Sequence, residues 1–146
     1  MVKLLYKGNI KRIKAASEIA NKILSSSEFY SRIRDIDKFD QTSLSGSDIA
    51  GLMENAGHTV TVTGALKPIA NASTETSDEI KVSVFRFGWR LKTGVNTLVH
   101  ETVHAIDLLN SKTDFTHSTN DNSDGRHNNT APWVIGKIAE DMCSTL

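Results

Sequence analysis

Residues 95–109 constrain this chain most, because only a helix sorts them into two chemically opposite faces. At about 100° per residue, with His100 set at zero, His104 falls at about 40°, Asp107 at about −20° and Glu101 at about 100°. Val95, Leu98, Val99, Val103, Ile106 and Leu109 cover the opposite side. An apolar stripe of that width is expected to face a core. A helix over roughly 94–110 would therefore be held rigidly and present two imidazoles, one turn apart, from a single face. Two nitrogen donors fixed on one element are half of a tetrahedral metal site. Glu101 stands beside them, able to reach a metal-held water without itself ligating, and so is the expected general base.

The rest of the chain supplies a frame for that helix. Residues 10–35 read as helical, with Ile10, Ile13, Ile19, Ile23 and Leu24 in a stripe that the Ser25-Ser26-Ser27 run can divide. A short helix over 48–56 has Ser45 or Ser47 to cap it and Gly57 to close it. The period then changes to two. Residues 59–63 and 80–87 alternate as strands, the second stopping at Gly88, with a polar loop at 70–78 between them. That arrangement suggests an antiparallel pair, with a third strand available from residues 2–6. A last helix over about 133–144 would begin at Pro132. The expected fold is α+β, one domain over 1–146, with a small and mostly antiparallel sheet packed on helices.

Helix geometry does not name the third ligand. The polar stretch 111–131 offers Asp114, His117, Asp121, Asp124 and His127, and the last helix offers Glu140. A loop of that length in a small domain is expected to carry function. His117 is the preferred choice: a borderline metal favours imidazole, the 13 residues after His104 let the chain turn back, and Phe115 can anchor it. Glu140 and the loop aspartates remain alternatives. His127, or Arg126, is placed to stabilise an oxyanion, and Asp107 to orient a ligand histidine from behind. The run Asn120–Gly125 opens like a calcium loop, but Asn stands first and Ala131 occupies the bidentate position, which argues against an EF-hand.

Composition removes other functions. In 146 residues the 17 Lys and Arg balance the 17 Asp and Glu, which argues against a dedicated nucleic-acid binder. The basic stretch 3–14 (Lys3, Lys7, Lys11, Arg12, Lys14) holds one aromatic residue, Tyr6, rather than a series spaced as stacking platforms, and reads as a solvated face. No apolar run approaches a bilayer's thickness, and charges interrupt the start where a secretory signal needs an apolar core. The expectation is a cytoplasmic protein, or one exported by a signal-less route, with neither nucleic acid nor membrane as partner. The single cysteine, Cys143, rules out an internal disulfide.

Thr97-Leu98-Val99-His100-Glu101-Thr102-Val103-His104-Ala105-Ile106-Asp107 resembles the active helix of the zincin superfamily of zinc metallopeptidases. Asp107 and Asn110 stand where metzincins carry a glycine and a third histidine, so that subgroup is excluded, and no upstream cysteine matches the deformylase pattern. The resemblance implies one Zn2+ ion and a compact α+β fold whose edge strand, assigned here to 80–88, lines the cleft. It also implies a peptide or protein substrate that pairs with this strand. Two other readings stay open: a zinc amidase acting on a non-peptide or cell-wall substrate, and a non-catalytic interaction module with structural histidines.

Overall fold

The computed structural model describes residues 1–66, 71–110, 113–117 and 124–146. Strand β1 (Lys3–Tyr6) leads into three helices, α1 (Lys11–Leu24), α2 (Ser27–Arg34) and α3 (Gly46–Glu54). The serine run does divide the first helical stretch. Ser25 Oγ donates to the carbonyls of Asn21 (2.8 Å) and Lys22 (3.1 Å), satisfying the end of α1 before α2 begins. In α3, Ser45 caps the N-terminus and Asp48 reciprocates as a capping box. Gly57, at φ 55°, then takes a left-handed turn that a side chain would resist.

Strands β2 (Thr59–Ala65), β3 (Ala72–Thr76) and β4 (Glu79–Ser83) complete a four-stranded sheet in the order β1-β2-β4-β3. It is mixed, not mostly antiparallel. β1 pairs with β2 and β2 with β4 in parallel, and only β3 with β4 runs antiparallel. Two features correct the expectation. Three helices separate β1 from β2, long enough for a parallel crossover. The stretch taken as a polar loop contains β3, so the chain passes to the sheet edge and returns through a tight turn at Ser77-Asp78, and β4 runs with β2. β4 also ends earlier than its alternation suggests. Ser83 Oγ accepts the N–H groups of Phe85 (3.3 Å) and Arg86 (3.2 Å), and the Phe87 N–H donates to the Ser83 carbonyl (2.9 Å), closing a turn.

Helix α4 (Leu91–Leu109) follows, starting three residues before its expected place, and α5 (Ala131–Met142) carries Pro132 in its first turn. Val95, Leu98, Val99, Val103, Ala105 and Ile106 of α4 lose all exposure in a core shared with α1, the sheet and α5. No helix among the described residues is long and apolar enough to cross a membrane.

Two glycines in α3 test this packing in opposite directions. A methyl at Gly46 would overlap the Ile33 carbonyl, whereas one at Gly51 meets nothing within 4 Å. Gly46→Ala is predicted to cost about 1–3 kcal/mol by forcing α3 away from α2. Gly51→Ala is predicted to gain about 0.5–1 kcal/mol from helix propensity. Urea unfolding midpoints of the two variants check both signs.

Candidate metal centre

Helix α4 carries the centre because its two faces have separate tasks. Its apolar face is buried, and Thr102, buried with it, donates its hydroxyl to the Leu98 carbonyl (2.7 Å), so no polar group is stranded there. The opposite face holds His100, which is buried, and His104, which is half-buried. In the last turn of α4, Asp107 accepts the Phe115 N–H (3.1 Å) and the Thr116 hydroxyl (3.4 Å). Phe115 is fully buried as an anchor. Together they fix the segment that brings His117 back over the helix. Asp107 thus acts on the backbone carrying the third histidine.

The three imidazoles converge through the same atom. The Nε2 of His104 lies 3.3 Å from that of His100 and 3.0 Å from that of His117, and the last two are 3.2 Å apart. Among the described residues this is the group of side chains able to hold a metal ion. Glu140 is engaged elsewhere: it accepts from Asn96 Nδ2 (2.6 Å) and pairs with Lys137 (3.3 Å). Asp114 and Asp124 are exposed, and Asp124 pairs with Arg126 at 2.7 Å. Asp121 and most of the calcium-like run lie outside the described residues.

Burial sets the protonation states. It is the largest influence on His100, whose pKa falls from 6.5 to about 3 with help from His104 and His117. His104 falls to about 4, by burial first and then by His117. Both are therefore neutral near pH 7, with lone pairs free to ligate. Burial raises the Glu101 pKa, and a hydrogen bond from Thr74 Oγ1 to its Oε2 (2.6 Å) partly opposes the rise.

Neighbouring elements enclose the triad. Trp133 of α5 stands edge-on to His100, with ring centroids 5.0 Å apart. His127 is buried and stacks on His117, centroids 5.0 Å apart, while its Nδ1 meets Gln41 Nε2 at 3.0 Å. It is thus built into the site rather than left in a solvated loop. A cavity of about 200 Å3 lined by Asn71, Asn96, His100, Glu101, His117 and Trp133 opens beside the cluster. A second hollow, lined by Ala72–Glu75, shares Glu101 and His117 with it. The strand along this cleft is β3, at the sheet edge, and not β4, which lies inside the sheet. Thr74, Gln41 and Trp133 were not read from the sequence. Thr74 and Thr76 alternate as strand residues do, a signal hidden by their polar surroundings; Gln41 and Trp133 reach the site only through the fold.

No family model, curated protein or solved structure matches the chain.

Depressed histidine pKa values carry a definite sign. As pH falls below about 6.5 the unfolded chain binds protons that the folded chain refuses, so stability drops, levelling off near the folded values of about 3 and 4. The metal-free protein is predicted to lose up to about 1.4 kcal/mol per pH unit for each of the two histidines. Urea midpoints followed from neutral pH downward check this. His100→Gln combined with His104→Gln should flatten the curve just below neutrality, and a wild-type midpoint independent of pH there would contradict the burial argument.

Proposed function

We propose that the chain is a zinc metallopeptidase of zincin type, with one ion held by His100, His104 and His117. The triangle of Nε2 atoms carries the reading. Around zinc, with nitrogen ligands at about 2.0–2.1 Å, the edge of a tetrahedron is about 3.3 Å. Spacings of 3.0–3.3 Å suit that edge, and three imidazoles are a donor set that zinc accepts while leaving a position open. An ion bound there supplies Lewis acidity, polarising a carbonyl and lowering the pKa of water.

The chain's own groups supply the rest. Thr74 occupies Oε2 of Glu101, which leaves Oε1 as the working oxygen. Glu101 takes the proton of the attacking water and passes it to the departing amine, a return trip favoured by a carboxyl whose pKa burial has raised. The Gln41 amide donates to His127 Nδ1, so His127 Nε2 carries the proton and is the donor assigned to the oxyanion. Edge strand β3 offers backbone groups to an extended peptide, replacing 80–88 in that role.

Glu101→Gln separates chemistry from binding. It should retain near-stoichiometric zinc by elemental analysis and lose about a hundred- to ten-thousand-fold in kcat on a mixed peptide library. His117→Ala should lose tight zinc. Unchanged turnover in Glu101→Gln would contradict the general base. A zinc-loaded wild type that cleaves non-peptide amides but no peptide would contradict the peptidase assignment.

A further inference from the structure

The three parallel strands end at one edge of the sheet, and this edge gathers a surface the metal centre does not use. β1 ends at Tyr6, β2 at Ala65 and β4 at Ser83, so the residues that follow emerge side by side. Lys7, Leu66 and Val84 line one hollow there. The turn beyond β4 is firmly held. Arg12 of α1 donates through Nε to the Phe87 carbonyl (2.9 Å) and through its other guanidinium nitrogen to the Val84 carbonyl, and the same guanidinium lies 4.4 Å over the Trp89 ring. The turn nevertheless displays its apolar groups: Phe85 is 60% exposed and Trp89 75%, beside Leu66 at 76%. Single exposed apolar side chains are ordinary, but several at one edge mark an interaction surface.

The two stretches that meet at this edge carry charge of one sign. The chain holds 17 acids, yet none falls within residues 1–17 or 80–100. Arg12 joins these two acid-free stretches across more than seventy residues. Lys7, Lys11, Arg86 and Arg90 are all exposed. A chain that is neutral overall is therefore locally cationic, and the fold brings Phe85 and Trp89 to a basic N-terminal stretch whose one aromatic residue is Tyr6.

We propose that this edge docks on an anionic lipid surface, with Leu66, Phe85 and Trp89 entering the headgroup layer and Lys7, Arg86 and Arg90 meeting lipid phosphates. Amphipathic aromatic rings settle at that depth, and basic residues are drawn to anionic leaflets. The Trp89 Nε1–H already donates to the Phe85 carbonyl (3.2 Å), so the ring enters an apolar layer without stranding its donor. Leu66 offers no base a stacking partner, and Arg12 covers one face of Trp89, which disfavours single-stranded nucleic acid. Hydropathy alone pointed away from membranes because it detects spanning segments, and this is surface docking. The inference does not rest on zinc or on peptidase activity.

Sedimentation of the full chain with vesicles tests it. The chain should bind vesicles of phosphatidylcholine mixed with phosphatidylglycerol, leave vesicles of phosphatidylcholine alone, and release as salt rises. Tryptophan emission should shift to the blue, since Trp89 is the exposed one of the two tryptophans. Arg86→Gln with Arg90→Gln should weaken partitioning by about 25-fold, Trp89→Ser by about tenfold, and Arg86→Lys with Arg90→Lys should retain it, all with wild-type circular dichroism. Equal binding to both vesicle types, or to neither, would overturn the proposal. So would binding only to a single-stranded oligonucleotide or to polyglutamate.

Discussion

Burying the apolar face of α4 is the constraint on which the rest of the molecule depends. Val95, Leu98, Val99, Val103 and Ile106 must leave water, and the opposite stripe of the same rigid rod then carries His100 and His104 to fixed positions. The burial that stabilises the helix also desolvates the imidazoles, and so keeps them neutral. Three rings with their Nε2 atoms within 3.3 Å of one another form a crowded polar cluster. A cation shared by all three resolves that crowding better than they can among themselves. An ion that bound only the folded chain would also stabilise it.

The supports around the triad are drawn from the whole chain. β3 contributes Thr74 to Glu101, the segment before α3 contributes Gln41 to His127, and α5 contributes Trp133 to His100. Asp107 pins the backbone that leads to His117. A side chain held on two sides reorganises little, which is what the proposed proton transfer through Glu101 would need. The cationic edge lies at the far end of α4: His100 follows Leu91 by nine positions, about 14 Å along a helix axis. Docking through that edge would leave the cleft clear of the surface.

What was legible in the sequence were patterns repeating within one element. The α4 stripe placed His100 and His104 on one face with Glu101 beside them, and Ser45 marked the start of α3, whose end falls at Asn55, two residues before the expected Gly57. His117 was legible for a local reason as well: Phe115, two residues before it, supplied an anchor, and that residue is buried. Sheet topology was not. The polar threonines of β3 concealed a strand, and without it the parallel register of β2 and β4 cannot be inferred. The end of β4 depended on one hydroxyl, Ser83, which no alternation pattern registers. Thr74, Gln41 and Trp133 act across distances in sequence that only folding closes. The same holds for the cationic edge, whose basic half reads as a solvated face until Arg12 is seen against Phe87 and Trp89.

The central claim is that three imidazoles share one ion through Nε2. An X-ray absorption spectrum of the zinc-loaded chain tests this most directly. The account predicts three nitrogen scatterers with imidazole multiple-scattering features and a fourth light ligand, all at about 2.0–2.1 Å. A shell of oxygen ligands without imidazole features, or a spectrum showing only two histidines, would contradict it.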